Sequence, residues 1–190
     1  MHHGPIIYIF LDGVGLGSNK PEINPFARFK TDFFAAYSGR SFKKKGQLIE
    51  TDANMGVPGL PQSATGQTAL FTGYNGPQIL GRHVNGYPTF TLRPYFKEKN
   101  ILKLLNDAGY NATLLNSYSK IYLERLKHPR AERLLSASSL MQLSSGKPYF
   151  TTDDYLSGQS LYMDMTNWFL RKHGMDIPLV EAYQNGCKLV

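Results

Sequence analysis

The sequence predicts an α/β fold with a mostly parallel central sheet flanked by helices, and three observations carry that expectation. Ile6-Ile7-Tyr8-Ile9-Phe10-Leu11 is a continuous apolar, β-rich run of the kind that forms a central strand buried on both faces. Helix-like stretches further along end on Gly73 and Gly109, where a helix C-terminus favours glycine. Strand-like and helix-like segments then alternate, as they do in βα units.

Taken in order, the first strand ends at Asp12, which falls at the carboxyl edge where open α/β sheets bind ligands. Residues 13–25 are rich in Gly, Asn and Pro and read as a long loop, 26–37 as a short aromatic-rich helix, and 48–51 as a second strand. Gly56, Pro58, Gly59 and Pro61 then forbid regular structure and bring a rigid loop up to Ser63. Residues 64–72 are small and apolar enough for a buried helix, with Ser63 as its N-cap.

Residues 75–94 are irregular. An amphipathic helix is expected over 95–108, where Phe96, Ile101, Leu104 and Leu105 alternate with Lys and Glu, and a strand over 111–116. Residues 119–150 read as a cap or lid insertion or as peripheral helices. Thr152-Asp153-Asp154-Tyr155 offers the cap for a helix running to His173-Gly174, and residues 179–190 begin another amphipathic helix. One α/β domain over 1–190 is expected. Three strands are few for this many helices, so the chain is expected to be cut off at its C-terminus, exposing Leu179, Val180 and Leu189 for association with another surface.

Composition narrows the class. Hydrophobic residues make up 42% and charged residues 18%, near globular averages, and no stretch approaches the roughly 18 apolar residues of a membrane span. The apolar run at 6–11 is too short for a signal-peptide core and meets no small-residue cleavage site, so a cytoplasmic location is expected. The single cysteine, Cys187, excludes an intrachain disulfide framework and a Cys-based zinc site. A net charge of +7 suits anionic partners, either nucleic acid or phosphorylated metabolites. The one dense basic run, Lys43-Lys44-Lys45, reads better as a solvated loop, and no nucleic-acid-binding signature accompanies it.

Gly13-Val14-Gly15-Leu16-Gly17-Ser18 follows a predicted strand and invites a dinucleotide-binding reading. It fails because Ser18 takes the place of the third glycine, and Asn19, Lys20 and Pro21 follow where a helix should open. Ser63 lacks the Gly-x-Ser-x-Gly frame of an α/β-hydrolase nucleophile, and there is no Walker A sequence. Pro61-Gln62-Ser63-Ala64-Thr65-Gly66-Gln67-Thr68 remains. A serine at a helix N-terminus has free backbone N–H groups and the positive end of the helix dipole beside it, which suits a phosphate. Serine is a weak nucleophile at neutral pH and needs a base or a metal to activate it, for which Asp12 is the available hard-oxygen ligand.

A strand ending in Asp-Gly near the N-terminus, followed some fifty residues on by Ser-x-x-Gly opening a helix, resembles the alkaline phosphatase superfamily. The chain looks most similar to the branch holding cofactor-independent phosphoglycerate mutase and phosphopentomutase, and the stretch from Leu60 to Gly73 is similar to metalloenzyme-domain proteins of that branch. The resemblance covers about the first 120 residues well. It implies metal-dependent phosphoryl transfer through a phosphoserine on Ser63, with Asp12 and Ser63 as ligands of two divalent ions: zinc or manganese, with magnesium as a third candidate. The implied partner is a phosphorylated small molecule, with no membrane.

Gln67 stands where the mutases carry histidine, and the family's Asp-x-x-x-His and Asp-His motifs have no counterpart in the sequence, so the 190-residue chain by itself is expected to bind divalent metal weakly and to show little or no phosphatase activity. Arg82 and His83 are candidates to clamp a substrate phosphate, Arg because its guanidinium pairs with phosphate oxygens two at a time. Asp52 is a candidate acid behind the first ring of ligands. Each has a structural alternative: a turn for Asp12, a helix cap for Ser63, a loop cap for Asp52 and a packing role for Arg82 and His83. Two further readings of the whole chain stay open. One is a truncated, non-catalytic chain that retains phosphate or partner binding, and the weakest is a basic nucleic-acid-binding module.

Overall fold

The computed structural model describes residues 4–15, 17–29, 49, 51–128, 130–164, 166–175, 184 and 186–189. It divides into two compact units, Met1–Ala53 and Asn54–Val190.

In the first unit, Asn24 organises helix α1 (Pro25–Phe29). Its buried side chain accepts the Phe26 N–H at 3.1 Å and donates to the Ser18 carbonyl at 2.7 Å, tying the helix start to the loop before it. Residues 30–37 of the expected helix lie outside the described residues, as do 48 and 50 of the expected second strand. Residues 49 and 51 are not in a strand. The run at 6–11 corrects the sequence reading: it forms no strand and is largely exposed, Ile6 at 94% and Ile9 at 70%. An apolar run states that burial is favourable but supplies no pairing partner by itself.

The sheet belongs to the second unit and has three parallel strands in the order β2-β1-β3. Its strands are β1 (Asn116–Tyr118), β2 (Phe150–Thr151) and β3 (Leu161–Tyr162). Both edges of β1 are taken, Ser117 standing opposite Phe150 on one side and Asn116 opposite Leu161 on the other. The expected strand at 111–116 is therefore displaced to 116–118. The α/β class holds, with a sheet smaller than the helices around it.

Helix α2 (Ser63–Thr72) buries Thr65, Thr68 and Thr72 with Ala64 and Phe71. Hydroxyls are tolerated there because the helix satisfies them itself: Thr68 Oγ1 donates to the Ala64 carbonyl and Thr72 Oγ1 to the Thr68 carbonyl, both at 2.6 Å. Gly73 ends the helix at φ 75°, its N–H on the Ala69 carbonyl, as its sequence position predicts. Asn75 caps α3 (Gly76–Leu80) by accepting the Gln78 N–H.

The single helix expected over 95–108 is two, α4 (Arg93–Glu98) and α5 (Ile101–Asp107). Asn100 makes the break. Fully buried, it donates to the Phe96 carbonyl at 2.9 Å and accepts the Lys103 N–H at 3.0 Å, closing one helix while capping the next. Helix α6 (Lys120–Leu126) is capped by Ser119, and a 3₁₀ turn (Ala131–Leu134) leads to α7 (Ala137–Ser144), capped by Ser136. Within 119–150, α7 is the element that packs on α2, α4 and α5, burying Leu140 and Met141 against a core that includes Leu92, Phe96 and Leu102.

The helix expected from 152 to 174 is interrupted. Helix α8 (Thr152–Leu156) ends at Ser157, β3 follows, and α9 (Trp168–Lys172) comes after it. The cap of α8 is Thr151, whose hydroxyl accepts the Asp154 N–H while Asp154 accepts the Thr151 N–H at 2.7 Å. A small apolar cluster of Tyr155, Tyr162 and Leu170 joins α8, β3 and α9. Residue 184 and residues 186–189 are helical, Cys187 is exposed, and Leu179 and Val180 lie outside the described residues. Among the described residues no helix is long and apolar enough to cross a membrane.

Gln142 on α7 joins helix layer and sheet. Fully buried, it accepts the Leu114 N–H at 2.9 Å and donates to the Pro148 carbonyl at 2.7 Å and to Thr113 at 3.1 Å, fixing the chain entering β1 against the chain entering β2. Gln142→Leu strands a buried amide and a carbonyl, so urea unfolding should show a loss of about 1–3 kcal/mol. The Asp154 carboxyl is held below the usual aspartate range by the Thr151 N–H and hydroxyl. Because that value is depressed on folding, its contribution is present above about pH 3.9 and lost as pH falls through the lower folded value. Asp154→Ala should therefore cost about 0.5–1 kcal/mol at pH 7, with the gap from the unmutated chain closing below about pH 4 in the same titration.

Candidate functional site

The loop before α2 is rigid for reasons the sequence supplies. Gly56 at φ 78° and Gly59 at φ 121° adopt conformations other residues resist, Met55 enters the left-handed region at φ 51°, and Pro58 and Pro61 fix the backbone between and after them. The chain reaches Gln62 extended, at φ −133° and ψ 152°. The Gln62 carbonyl accepts the Gly66 N–H at 2.9 Å, so the helical register begins one residue earlier than the sequence suggests. Gln62 is therefore the N-cap, without a side-chain cap bond, and Ser63 is the first helical residue rather than the cap.

The first amides of α2 correct a second expectation. The Ala64 N–H donates to the Val84 carbonyl at 3.0 Å and the Thr65 N–H to the same oxygen at 3.3 Å. These two groups are not free for an anion. Their acceptor arrives on a segment that is itself held in place: the Val84 N–H donates to Thr65 Oγ1 at 3.2 Å, and Thr65 Oγ1 donates to the Gln62 carbonyl at 3.2 Å. Ser63 stands half-buried at the head of this arrangement, with Gln67 one turn further along.

The neighbouring His83 is half-buried, and its Nε2 lies 3.0 Å from the Val57 carbonyl. A carbonyl only accepts, so Nε2 carries a proton; Nδ1 is buried without a hydrogen-bond partner among the described residues. The ring stands against the glycine loop, its Cδ2 lying 3.4 Å from where a Cβ on Gly59 would be. Arg82 is exposed, and its backbone N–H donates to the Pro77 carbonyl. Thus the structure brings His83 to the loop before Ser63, and Val84 to the helix after it.

Asp12 and Asp52 belong to the first unit, and both are exposed. Asp12 opens a turn with Gly13, at φ 71°, rather than ending a paired strand. In the second unit the described carboxylates are engaged locally. Glu98 accepts from the Tyr74 hydroxyl, Asp107 pairs with Lys103, Glu124 with Lys127, Glu132 with Lys97 and Asp153 with Lys120. Asp154 serves the α8 cap. Asp164 accepts from the Thr166 hydroxyl at 2.6 Å and the Phe169 N–H at 2.9 Å, which hold its carboxyl below the usual range.

Among the described residues no three His, Cys, Asp or Glu side chains converge as a metal site would require. The described residues thus do not by themselves supply the donor set of a two-metal centre.

The carboxyl edge of the observed sheet, where α/β folds place ligands, carries Ser119, Thr151 and Asp164, all used as caps or turn acceptors for α6, α8 and the α9 approach. Two concave surfaces flank α6, and His128 lines both; none of the sequence candidates does. Between α6 and α7, Tyr118 and Tyr122 share the Ser139 hydroxyl and Tyr149 donates to the Ser139 carbonyl at 2.7 Å. Burial pushes all three phenols up, which keeps them protonated.

Comparison with protein-family models gives no match, and neither do comparisons with curated proteins and with solved structures.

Helix α3 approaches the start of α2 so closely that a Cβ on Gly76 would stand 2.6 Å from the Thr65 carbonyl and 3.2 Å from Thr68 Cβ. The obstacle is backbone and cannot swing aside. Gly76→Ala should therefore destabilise the second unit by about 1–3 kcal/mol in urea unfolding.

Proposed function

We propose that the chain serves metal-dependent phosphoryl transfer of the alkaline phosphatase type, with Ser63 as the group that accepts the phosphate from a phosphorylated small molecule. The observation that carries the reading is the presentation of Ser63. It is the first residue of a ten-residue helix with one buried face, reached through a loop stiffened by two prolines and two left-handed glycines, and the amides that follow it are bound to Val84. Fixed geometry serves a nucleophile because holding reacting atoms in place removes much of the entropic barrier.

In the transfer, the Ser63 Oγ–phosphorus bond forms as the ester oxygen–phosphorus bond of the substrate breaks; the serine proton passes to solvent and the leaving oxygen takes one back. Attack of water on the phosphoserine completes a phosphatase cycle, and attack of a second hydroxyl completes a mutase cycle. Two divalent ions, zinc or manganese or else magnesium, belong to this proposal through the sequence resemblance, as does Asp12 as a ligand. Arg82, exposed beside His83, is the candidate for substrate phosphate.

A second reading is a chain that binds phosphate or a partner without turnover. It is favoured by the local engagement of the described carboxylates. The two readings part in one assay. The first reading requires phosphate release from a chromogenic phosphomonoester with manganese or zinc present, abolished by Ser63→Ala at a change in unfolding free energy of about 1 kcal/mol or less. Equal release by both proteins would remove Ser63 from the chemistry, and none from either would favour the non-catalytic reading.

A further inference from the structure

We infer that His83 and Val84 together form a bracket that positions Ser63, His83 holding the chain before the serine and Val84 the helix after it. The inference rests on the reading of Ser63 as phosphoryl acceptor. It assigns His83 a role other than contact with substrate phosphate.

The geometry is that of two adjacent residues reaching in two directions. His83 Nε2–H donates to the Val57 carbonyl at 3.0 Å, on the loop five residues upstream of Gln62. Val84 offers its carbonyl to the Ala64 and Thr65 amides and its own N–H to Thr65 Oγ1, one and two residues downstream of Ser63. The serine is thus spanned by one short segment. That segment lies between Gly81 at φ 65° and Gly86 at φ 77°, which turn the chain into and out of it.

Thr65 is the receiving part on the helix. It is completely buried, and its hydroxyl both accepts from Val84 and donates to Gln62, so the cap residue, the helix and the bracket meet at one oxygen. Such an oxygen has one proton to give and lone pairs to receive with, and both capacities are used. Were His83 to leave Val57 for a substrate, the Val57 carbonyl would lose this donor and the loop this tie.

The test pairs a disruptive and a conservative variant on each arm of the full chain. Thr65→Val removes the shared hydroxyl at nearly constant shape and Thr65→Ser keeps it; His83→Ala removes the donor and His83→Gln supplies an amide N–H in its place. Amide hydrogen exchange should show Ala64 and Thr65 exchanging roughly ten- to a hundredfold faster in Thr65→Val, and Val57 to Gln62 losing protection in His83→Ala. Steady-state kinetics on a phosphomonoester with manganese should show kcat falling about tenfold or more in both disruptive variants with KM within about twofold, and recovering in both conservative ones.

Unchanged exchange at Ala64 and Thr65 in Thr65→Val overturns the bracket whatever the kinetics. A raised KM in His83→Ala with loop exchange unchanged makes His83 a substrate ligand and overturns it too. Faster exchange with undiminished kcat sinks the positioning role while leaving the Ser63 reading intact. If the unmutated chain does not phosphorylate Ser63, the functional reading fails first and takes the positioning role with it.

Discussion

One carbonyl oxygen, that of Val84, receives the first two interior amides of the helix that carries Ser63. A helix start leaves four N–H groups without intrahelical partners, and one buried in a core must find them elsewhere. Here the Gln62 side chain contributes no cap bond, so the closure comes from a backbone segment nearly twenty residues downstream. The consequences spread outward from that point. The segment must be turned in and out by glycines, Gly76 must have no side chain so that α3 can lie against the Thr65 carbonyl, and Thr65 must carry a hydroxyl although it is fully buried.

The same constraint bears on what the site can do. A helix start with open amides would attract phosphate by itself, through its dipole and its donors. Closed on Val84, the start of α2 gives up part of that attraction and gains fixed geometry. A serine so held suits a reaction in which charge stabilisation comes from groups outside the helix, which is what metal-assisted phosphoryl transfer requires. The incomplete donor set among the described residues and the closed amides are therefore two aspects of one question: where the positive charge opposite the phosphate comes from.

Much of the helical layer was legible because its signals are local. Gly73 ends α2 where its sequence position says a left-handed residue belongs, and the Gly-Pro loop at 55–62 behaves as its backbone restrictions dictate. The α8 cap was readable in kind and misplaced by one residue, Thr151 standing for Thr152, whereas at α2 the cap position falls to Gln62, whose side chain makes no cap bond, because the register depends on which carbonyl the chain closes first. Asn100 split a helix whose apolar spacing gave no sign of interruption, since its effect comes from bonds in both directions rather than from low propensity.

The sheet was the least legible part. An apolar run such as 6–11 states that burial is favourable but not which strand will pair with it, and the observed ladder instead uses 116–118, 150–151 and 161–162. Pairing across more than thirty residues is a property of the packed chain, with Gln142 holding the entries of β1 and β2 together from a helix between them. The helix that opens at Ser63 could be read from residue types, whereas its closure on Val84 could not, because a backbone carbonyl carries no sequence signature.

The measurement that bears most directly on the account is a mass map of the peptide spanning Ser63, taken after rapid mixing of the 190-residue chain with a phosphomonoester and manganese and quenching in acid. A transient phosphoryl group on Ser63 that forms before product accumulates and decays as substrate is consumed is the predicted result. Phosphate on Thr65 or Thr68, or product formed with this peptide never modified, would contradict it.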